Sequence, residues 1–291
     1  PQKLAEVSRL RSLGADIKII LDSAEAARAV SAFCRREKTT IPVLLEIDVD
    51  GHRSGIRPDG AELLPAAAAL ADGAELVGVL THAGDSYECK TTAEIEAAAE
   101  AERAGIVLAA ERLRAAGHTV KIVSAGSTPT LMFAKDETGV TEMRAGVCAL
   151  FDLFMSNVGA CTVDDIAGSV LATVIGRQVD KRRVILDCGF LALSRDRGTA
   201  RQAHDYGYGL VCGLDGKPLA DGTIVLTGTN QEHGILTLPE NSPLTQEDFP
   251  IGRRLRILPN HACPTAAPYG SLVLIENGRV AEVLDHVRGW D

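Results

Sequence analysis

Val43-Leu44-Leu45-Glu46-Ile47-Asp48-Val49 is an apolar run that stops abruptly in Asp50-Gly51-His52-Arg53-Ser54-Gly55. Its length and its near-continuous apolarity suit a strand buried on both faces, as in a parallel sheet covered by helices. The flanks repeat the pattern. Upstream, Ile17–Leu21 precedes an Ala-rich helical segment, Ala24–Arg35. Downstream come a helix over Ala61–Ala71, a strand over Leu76–Leu80 and a long helix from about Thr91 to Ala116. Thr91 and Glu94 have capping-box spacing, and Gly117 suits the C-terminal stop. Val120–Val123 is a fourth strand, and Met143–Leu150 is expected to be a fifth. Strands alternating with helices predict an α/β fold with a parallel sheet. The spacing matches a (β/α)8 TIM-type barrel, which has about eight strands. On that reading the barrel is incomplete here and three units lie upstream of Pro1. An open doubly wound sheet needs no further units, so the pattern alone admits both. The chain opens on Pro1 and is already helically patterned at Leu4, Val7, Leu10 and Leu13, so its start is expected to fall mid-fold.

Beyond about Asp164 the texture changes. Short strands are predicted at Val170–Arg177, Val184–Cys188, Ile224–Thr227, Leu236–Leu238, Arg254–Leu258 and Ser271–Ile275, separated by Asp-Gly, Pro-rich and Asn-Gly turns. The expected division is a β/α domain over 1–160 and a mostly antiparallel β domain over 161–291.

Composition narrows the function. A net charge of −9, 4% aromatic residues and no basic run argue against nucleic acid, and no apolar run reaches membrane-spanning length. Seven scattered cysteines without a CxxC pair fit a reduced, cytoplasmic location.

Ligands of parallel α/β folds bind at the carboxyl ends of strands. Here those ends carry Arg53; Thr81-His82-Ala83-Gly84-Asp85-Ser86-Tyr87; Ser124-Ala125-Gly126-Ser127-Thr128-Pro129-Thr130; and Glu142-Met143-Arg144-Ala145-Gly146. The small, hydroxyl-rich turn at Gly126, Ser127 and Thr128 suits a phosphate, and equally a capped strand-to-helix turn. Arg53 and Arg144 read as anion partners or as ordinary salt-bridged arginines. His82 reads as a site residue or a satisfied core histidine, and Tyr87 as a site residue or a rim cap. In Pro259-Asn260-His261-Ala262-Cys263-Pro264-Thr265, His261 and Cys263 stand two apart. If that stretch is extended, both side chains share one face. Imidazole and thiolate suit zinc, although an isolated His-x-Cys is more often structural.

These five motifs, in this order, closely resemble the D-serine dehydratase and D-threonine aldolase family. Its members are pyridoxal phosphate enzymes with an alanine-racemase-type barrel and an added β domain. The resemblance implies that Gly126, Ser127 and Thr128 hold the cofactor phosphate. It places Arg53 near the phenolic oxygen, His82 against the pyridine ring, Tyr87 at the active site and Arg144 beside the pyridine nitrogen. His261 and Cys263 match the zinc ligands of the dehydratases; the aldolases tend to carry Asp at the second position and to use Mn²⁺ or Mg²⁺. The implied substrate is a D-β-hydroxy amino acid, D-serine or D-threo-3-hydroxyaspartate. The implied reaction is dehydration to an oxo acid and ammonia, with retro-aldol cleavage as the alternative. A homodimer is implied as well. The family's Schiff-base lysine has no match among the lysines of this sequence and is expected upstream of Pro1. A truncated, inactive relative is the non-enzymatic alternative.

Overall fold

The computed structural model describes residues 2–51 and 53–287. His52, part of the motif after the second strand, lies outside the described residues. The chain divides into two compact units, Pro1–Gly146 and Val147–Asp291. The division expected from the sequence, at 160/161, falls inside the second unit.

The first unit alternates helix and strand: α1 (Gln2–Ser12), β1 (Ile19–Leu21), α2 (Ala24–Glu37), β2 (Ile41–Ile47), α3 (Leu63–Ala68), β3 (Ala74–Thr81), α4 (Thr92–Ala115), β4 (Ile122–Ala125), α5 (Thr128–Phe133) and β5 (Glu142–Met143). All four neighbouring strand pairs are parallel, and the sheet order is β1-β2-β3-β4-β5. A doubly wound sheet reverses its strand order at a switch point; this one never does, which is the order of a barrel. In β2, Ile41, Val43, Leu45 and Ile47 are 0–2% exposed and pack in one cluster with Phe33, Leu63, Ile106 and Leu113 of the helices. Burying each such side chain stabilises by roughly 1.5–3 kcal/mol.

The long helix begins as its sequence predicts, with Thr91 and Glu94 forming a reciprocal capping box. It ends before Gly117, whose φ of +90° suits the left-handed stop. The fifth predicted strand, Met143–Leu150, is a correction. Only Glu142–Met143 pairs, and the chain then leaves the sheet in a single turn at Val147–Ala149. Beyond Met143 its apolar residues do not pair in the ladder; Ala145, Val147, Cys148 and Leu150 are half-buried and Ala149 is exposed.

The second unit carries α6 (Leu153–Asn157), β6 (Val170–Gln178), β7 (Arg183–Leu186), α7 (Phe190–Leu193), β8 (Leu210–Cys212), β9 (Gly228–Thr229), β10 (Gly234–Thr237), β11 (Arg254–Leu258), α8 (Ala262–Ala266), β12 (Ser271–Glu276) and β13 (Arg279–Asp285). Six strands form an antiparallel sheet in the order β8-β11-β6-β7-β10-β9, and β12 and β13 form a hairpin. Its Asn277-Gly278 turn has φ of 51° and 74°, the left-handed pair that a two-residue hairpin favours. Ile224–Thr227, predicted as a strand, makes only isolated bridges through Val225 and Leu226. Ile224 and Leu226 are apolar because they line the core, at 1% and 0% exposure. All seven cysteines are unpaired.

Gly78 sets the approach of β3 to β4. It pairs with Ile122 just where β3 gains a residue over β2, and a Cβ on it would lie 2.2 Å from the Ile122 carbonyl oxygen. A glycine at such a bulge lets the backbones meet. Gly78→Ala is expected to destabilise the first unit by about 3 kcal/mol through overpacking against backbone, seen as a lower urea midpoint in circular dichroism.

Candidate functional site

In the first unit the carboxyl ends of β3, β4 and β5 bring several predicted residues together. Thr81, fully buried, donates its hydroxyl to the Ile47 carbonyl at 2.7 Å and ties the end of β3 to β2. The next residue, His82, donates Nδ1–H to the Gly126 carbonyl at 3.1 Å, which links the third strand end to the fourth. Its imidazole is half-buried, and burial pushes its pKa down. The Gly126 carbonyl opposes that shift, and the Arg53 and Arg144 cations add to it. Tyr87 sits in the single turn Gly84–Tyr87, its ring 5.9 Å from that of His82 and tilted by 40°. Arg53 is exposed on the loop after β2.

The turn after β4 is built for close approach. Gly126 has φ of +122°, and a Cβ there would lie 2.5 Å from the Arg144 carbonyl oxygen and 2.7 Å from its nitrogen. Ser127 and Thr130 form a reciprocal capping box at the start of α5. Thr128 is 1% exposed, and its Oγ1 has no hydrogen-bond partner among the described residues. A buried hydroxyl without a partner is costly, so this one fits an oxygen-rich ligand. Small residues, an orphaned hydroxyl and a glycine that only glycine can replace suit a phosphate ester.

Arg144 follows β5. Its Nε donates to Ser124 Oγ at 2.9 Å and its Nη2 donates to the Thr81 carbonyl. Ser124 Oγ in turn donates to Glu142 Oε1 at 2.6 Å. Burial pushes the Arg144 pKa down, against the raising effect of Glu102, Glu142 and Glu46.

Glu102, which sequence reasoning passed over, lies beneath these loops and is 1% exposed. Its Oε1 accepts the N–H groups of Ala83 at 2.9 Å and Gly126 at 3.1 Å; its Oε2 accepts the Thr130 hydroxyl at 2.7 Å. A signal for it exists in the sequence. Glu102 falls in the apolar row of α4 with Ile95, Ala99, Ile106 and Leu113, where a carboxylate needs a reason.

His261 and Cys263 belong to the second unit. The stretch is extended only as far as His261, at φ −139° and ψ 112°, and becomes helical at Ala262. The two side chains therefore meet across a helix start and not by strand alternation, a correction to the extended reading. Cys263 stands close enough to the imidazole to act on its titration. His261 Nδ1 faces Asp196 Oδ2 at 2.7 Å. That contact, then Cys263, raises the His261 pKa to about 10, and the same contact lowers that of Asp196. With Nδ1 committed to a carboxylate, Nε2 is the nitrogen left for a metal, the usual arrangement of a ligating histidine.

The backbone around this pair is fixed by buried polar groups. Asp152, 1% exposed, accepts the N–H of Met155 at 2.9 Å and that of Ala262 at 2.8 Å, so it caps α6 and holds the peptide between His261 and Cys263. Burial pushes its pKa up against those two bonds. Asn260 donates to the carbonyls of Asp196 and Gly207 and accepts the Thr199 hydroxyl. Among the described residues no three metal-donor side chains cluster. A nitrogen and a sulfur donor with further positions open suit zinc in a site that also takes water or substrate.

The chain is similar along its length to known proteins. The family model for the alanine racemase N-terminal domain matches residues 3–153, and that for a putative serine dehydratase domain matches residues 167–275. The D-threo-3-hydroxyaspartate dehydratase of Delftia sp. (strain HT23) is 50% identical over 294 residues, covering 100% of this chain and 77% of the relative. The D-serine dehydratase of Dictyostelium discoideum is 26% identical, covering 95% of this chain and 72% of the relative. The D-threonine aldolase of Arthrobacter sp is 27% identical, covering 97% and 70%. The solved structure of the Delftia dehydratase matches with a TM-score of 0.94 at 50% identity, over 100% of this chain and 77% of that one. Solved variants of that enzyme include a His→Ala form and, two positions along its chain, a Cys→Ala form that is metal-free; His261 and Cys263 have the same spacing. This chain belongs to the family of the D-threo-3-hydroxyaspartate and D-serine dehydratases, on the alanine-racemase type of fold.

Proposed function

We propose that the chain serves the dehydration of a D-β-hydroxy amino acid, with D-threo-3-hydroxyaspartate as the substrate and D-serine as a smaller one. The products are an oxo acid and ammonia: oxaloacetate from the first, pyruvate from the second. The observation that carries this reading is the His261–Cys263 pair in a chain 50% identical to a D-threo-3-hydroxyaspartate dehydratase. The aldolases of the family tend to have a carboxylate at the second position.

Pyridoxal phosphate and a zinc ion are the cofactors proposed. When bound, the first stabilises negative charge at Cα, and the second, as a Lewis acid, assists loss of the β-hydroxyl. The chain's own residues bind and orient. Gly126, Ser127 and Thr128 offer neutral donors and close backbone approach to the phosphate. His82, tethered by Nδ1, presents the imidazole to the ring. Arg144, its guanidinium held by Ser124 and Thr81, would be the partner of the pyridine nitrogen. His261 and Cys263 hold the metal, and Asp196 keeps the imidazole turned so that Nε2 faces it.

The first test supplies D-threo-3-hydroxyaspartate, pyridoxal phosphate and zinc, and assays products. Oxaloacetate and ammonia are expected; glycine and glyoxylate in their place would mean aldol cleavage and overturn the dehydratase reading. Asp196→Asn is expected to weaken zinc retention about tenfold against a chelator, with melting temperature nearly unchanged. Thr128→Val removes an unpaired buried hydroxyl. It is expected to leave the cofactor-free protein as stable or slightly more so, and to weaken pyridoxal phosphate binding about tenfold in equilibrium dialysis.

A further inference from the structure

Glu102 occupies a place in α4 where an apolar side chain would pack without cost. A carboxylate is expensive there unless its lone pairs are met by donors. Its donors are the peptides of Ala83 and Gly126 and the hydroxyl of Thr130. They lie on the two loops that carry His82 and the Gly126–Thr128 turn, and on the cap of α5. One side chain thus ties two strand ends and a helix start together.

The same bonds fix the direction of the hydroxyl network. Thr130 Oγ1 donates to Glu102 Oε2 at 2.7 Å, which commits the Thr130 proton to the carboxylate. Ser86 donates its proton to the Ala83 carbonyl at 2.7 Å. Ser127 Oγ lies 3.0 Å from both Ser86 Oγ and Thr130 Oγ1. With those two protons committed, Ser127 is the donor in either contact, and its proton can turn to a ligand oxygen. Thr128 Oγ1 beside it has no partner among the described residues.

We propose that Glu102 is a positioning residue for the phosphate-binding turn: it fixes the backbone at Ala83 and Gly126 and, through the Thr130 hydroxyl, leaves Ser127 free to donate to a phosphate ester beside the unpartnered Thr128 hydroxyl. Glu102 itself touches no ligand. The inference rests on the pyridoxal phosphate reading above and adds to it the group that shapes the site.

The test compares pyridoxal phosphate with pyridoxal, which has the ring and lacks the phosphate, by equilibrium dialysis against the unaltered chain, Glu102→Ala and Glu102→Gln. Loss of general stability weakens both ligands alike; loss of the turn's geometry weakens only the phosphate ester. Glu102→Ala is expected to lower the preference for pyridoxal phosphate over pyridoxal about tenfold. Glu102→Gln keeps an oxygen for the two peptides but gives Thr130 a donor in place of an acceptor. It is expected to restore most of the preference, leaving a loss of about threefold. Melting curves show whether each variant folds, and if the alanine form does not, the isosteric glutamine form decides. An unchanged preference in a folded variant, or equal loss of both ligands, overturns the proposal. If the unaltered chain itself shows no preference for the phosphate ester, the cofactor reading falls, and this inference with it.

Discussion

A carboxylate taken out of water must be surrounded by donors, and a helix offers it none, since the helix's own N–H groups are already paired. Glu102 therefore has to draw donors from whatever packs over α4. The peptides of Ala83 and Gly126 and the Thr130 hydroxyl meet that demand. The demand acts in both directions. Those loops would otherwise end their strands with N–H groups turned inward and unpaired, which costs about as much as a lost hydrogen bond each. The strand-end loops of the first unit hold their shape because each side satisfies the other.

The second unit uses the same device on different elements. Asp152 is buried, caps α6 and accepts the Ala262 N–H with its other oxygen. The peptide bonds of Leu153 and Phe154 add to it by donating to the carbonyls of Pro259 and Asn260. The stretch around His261 and Cys263 is thus held by α6 through main chain and one carboxylate. The imidazole is then aimed by Asp196. In each unit the candidate site stands on an acid that is only 1% exposed.

The parts legible in the sequence were those governed by periodicity and by local signals. Val43–Val49 announced a buried parallel strand, and Thr91 with Glu94 announced the start of the long helix. The Asn277-Gly278 hairpin turn was visible too, yet its second strand, Arg279–Asp285, was missed because every residue of that strand is exposed and its apolarity serves no core. Strand order was not legible at all, because alternation of strand and helix is common to barrels and open sheets. The candidate ligand-facing residues could be picked out by their place at strand ends. Those that hold them could not. Glu102, Asp152 and Asp196 act through contacts with residues 19 to 110 positions away in the chain, and an isolated acid carries no mark of such a partner. The trace that Glu102 did leave was a charge in an apolar row, which is read only when every buried position is asked to justify itself.

The donors of Arg144 explain why the turn is made of small hydroxyl residues. Its guanidinium is spent on Ser124 and on the Thr81 carbonyl, and the carboxylates of Glu102, Glu142 and Glu46 surround it. Burial, with Arg53 and Arg144 nearby, pushes the pKa of His82 down, which disfavours its cationic form. A phosphate arriving at the Gly126–Thr128 turn would thus be met chiefly by neutral donors, hydroxyl and peptide. A lysine point charge tolerates displacement, since Coulomb attraction falls slowly with distance. A neutral hydrogen bond weakens steeply once its angle or length is wrong. A turn that binds by neutral donors must be held still, and a buried acid with three donors to satisfy holds it more firmly than apolar packing, which fixes volume but not direction.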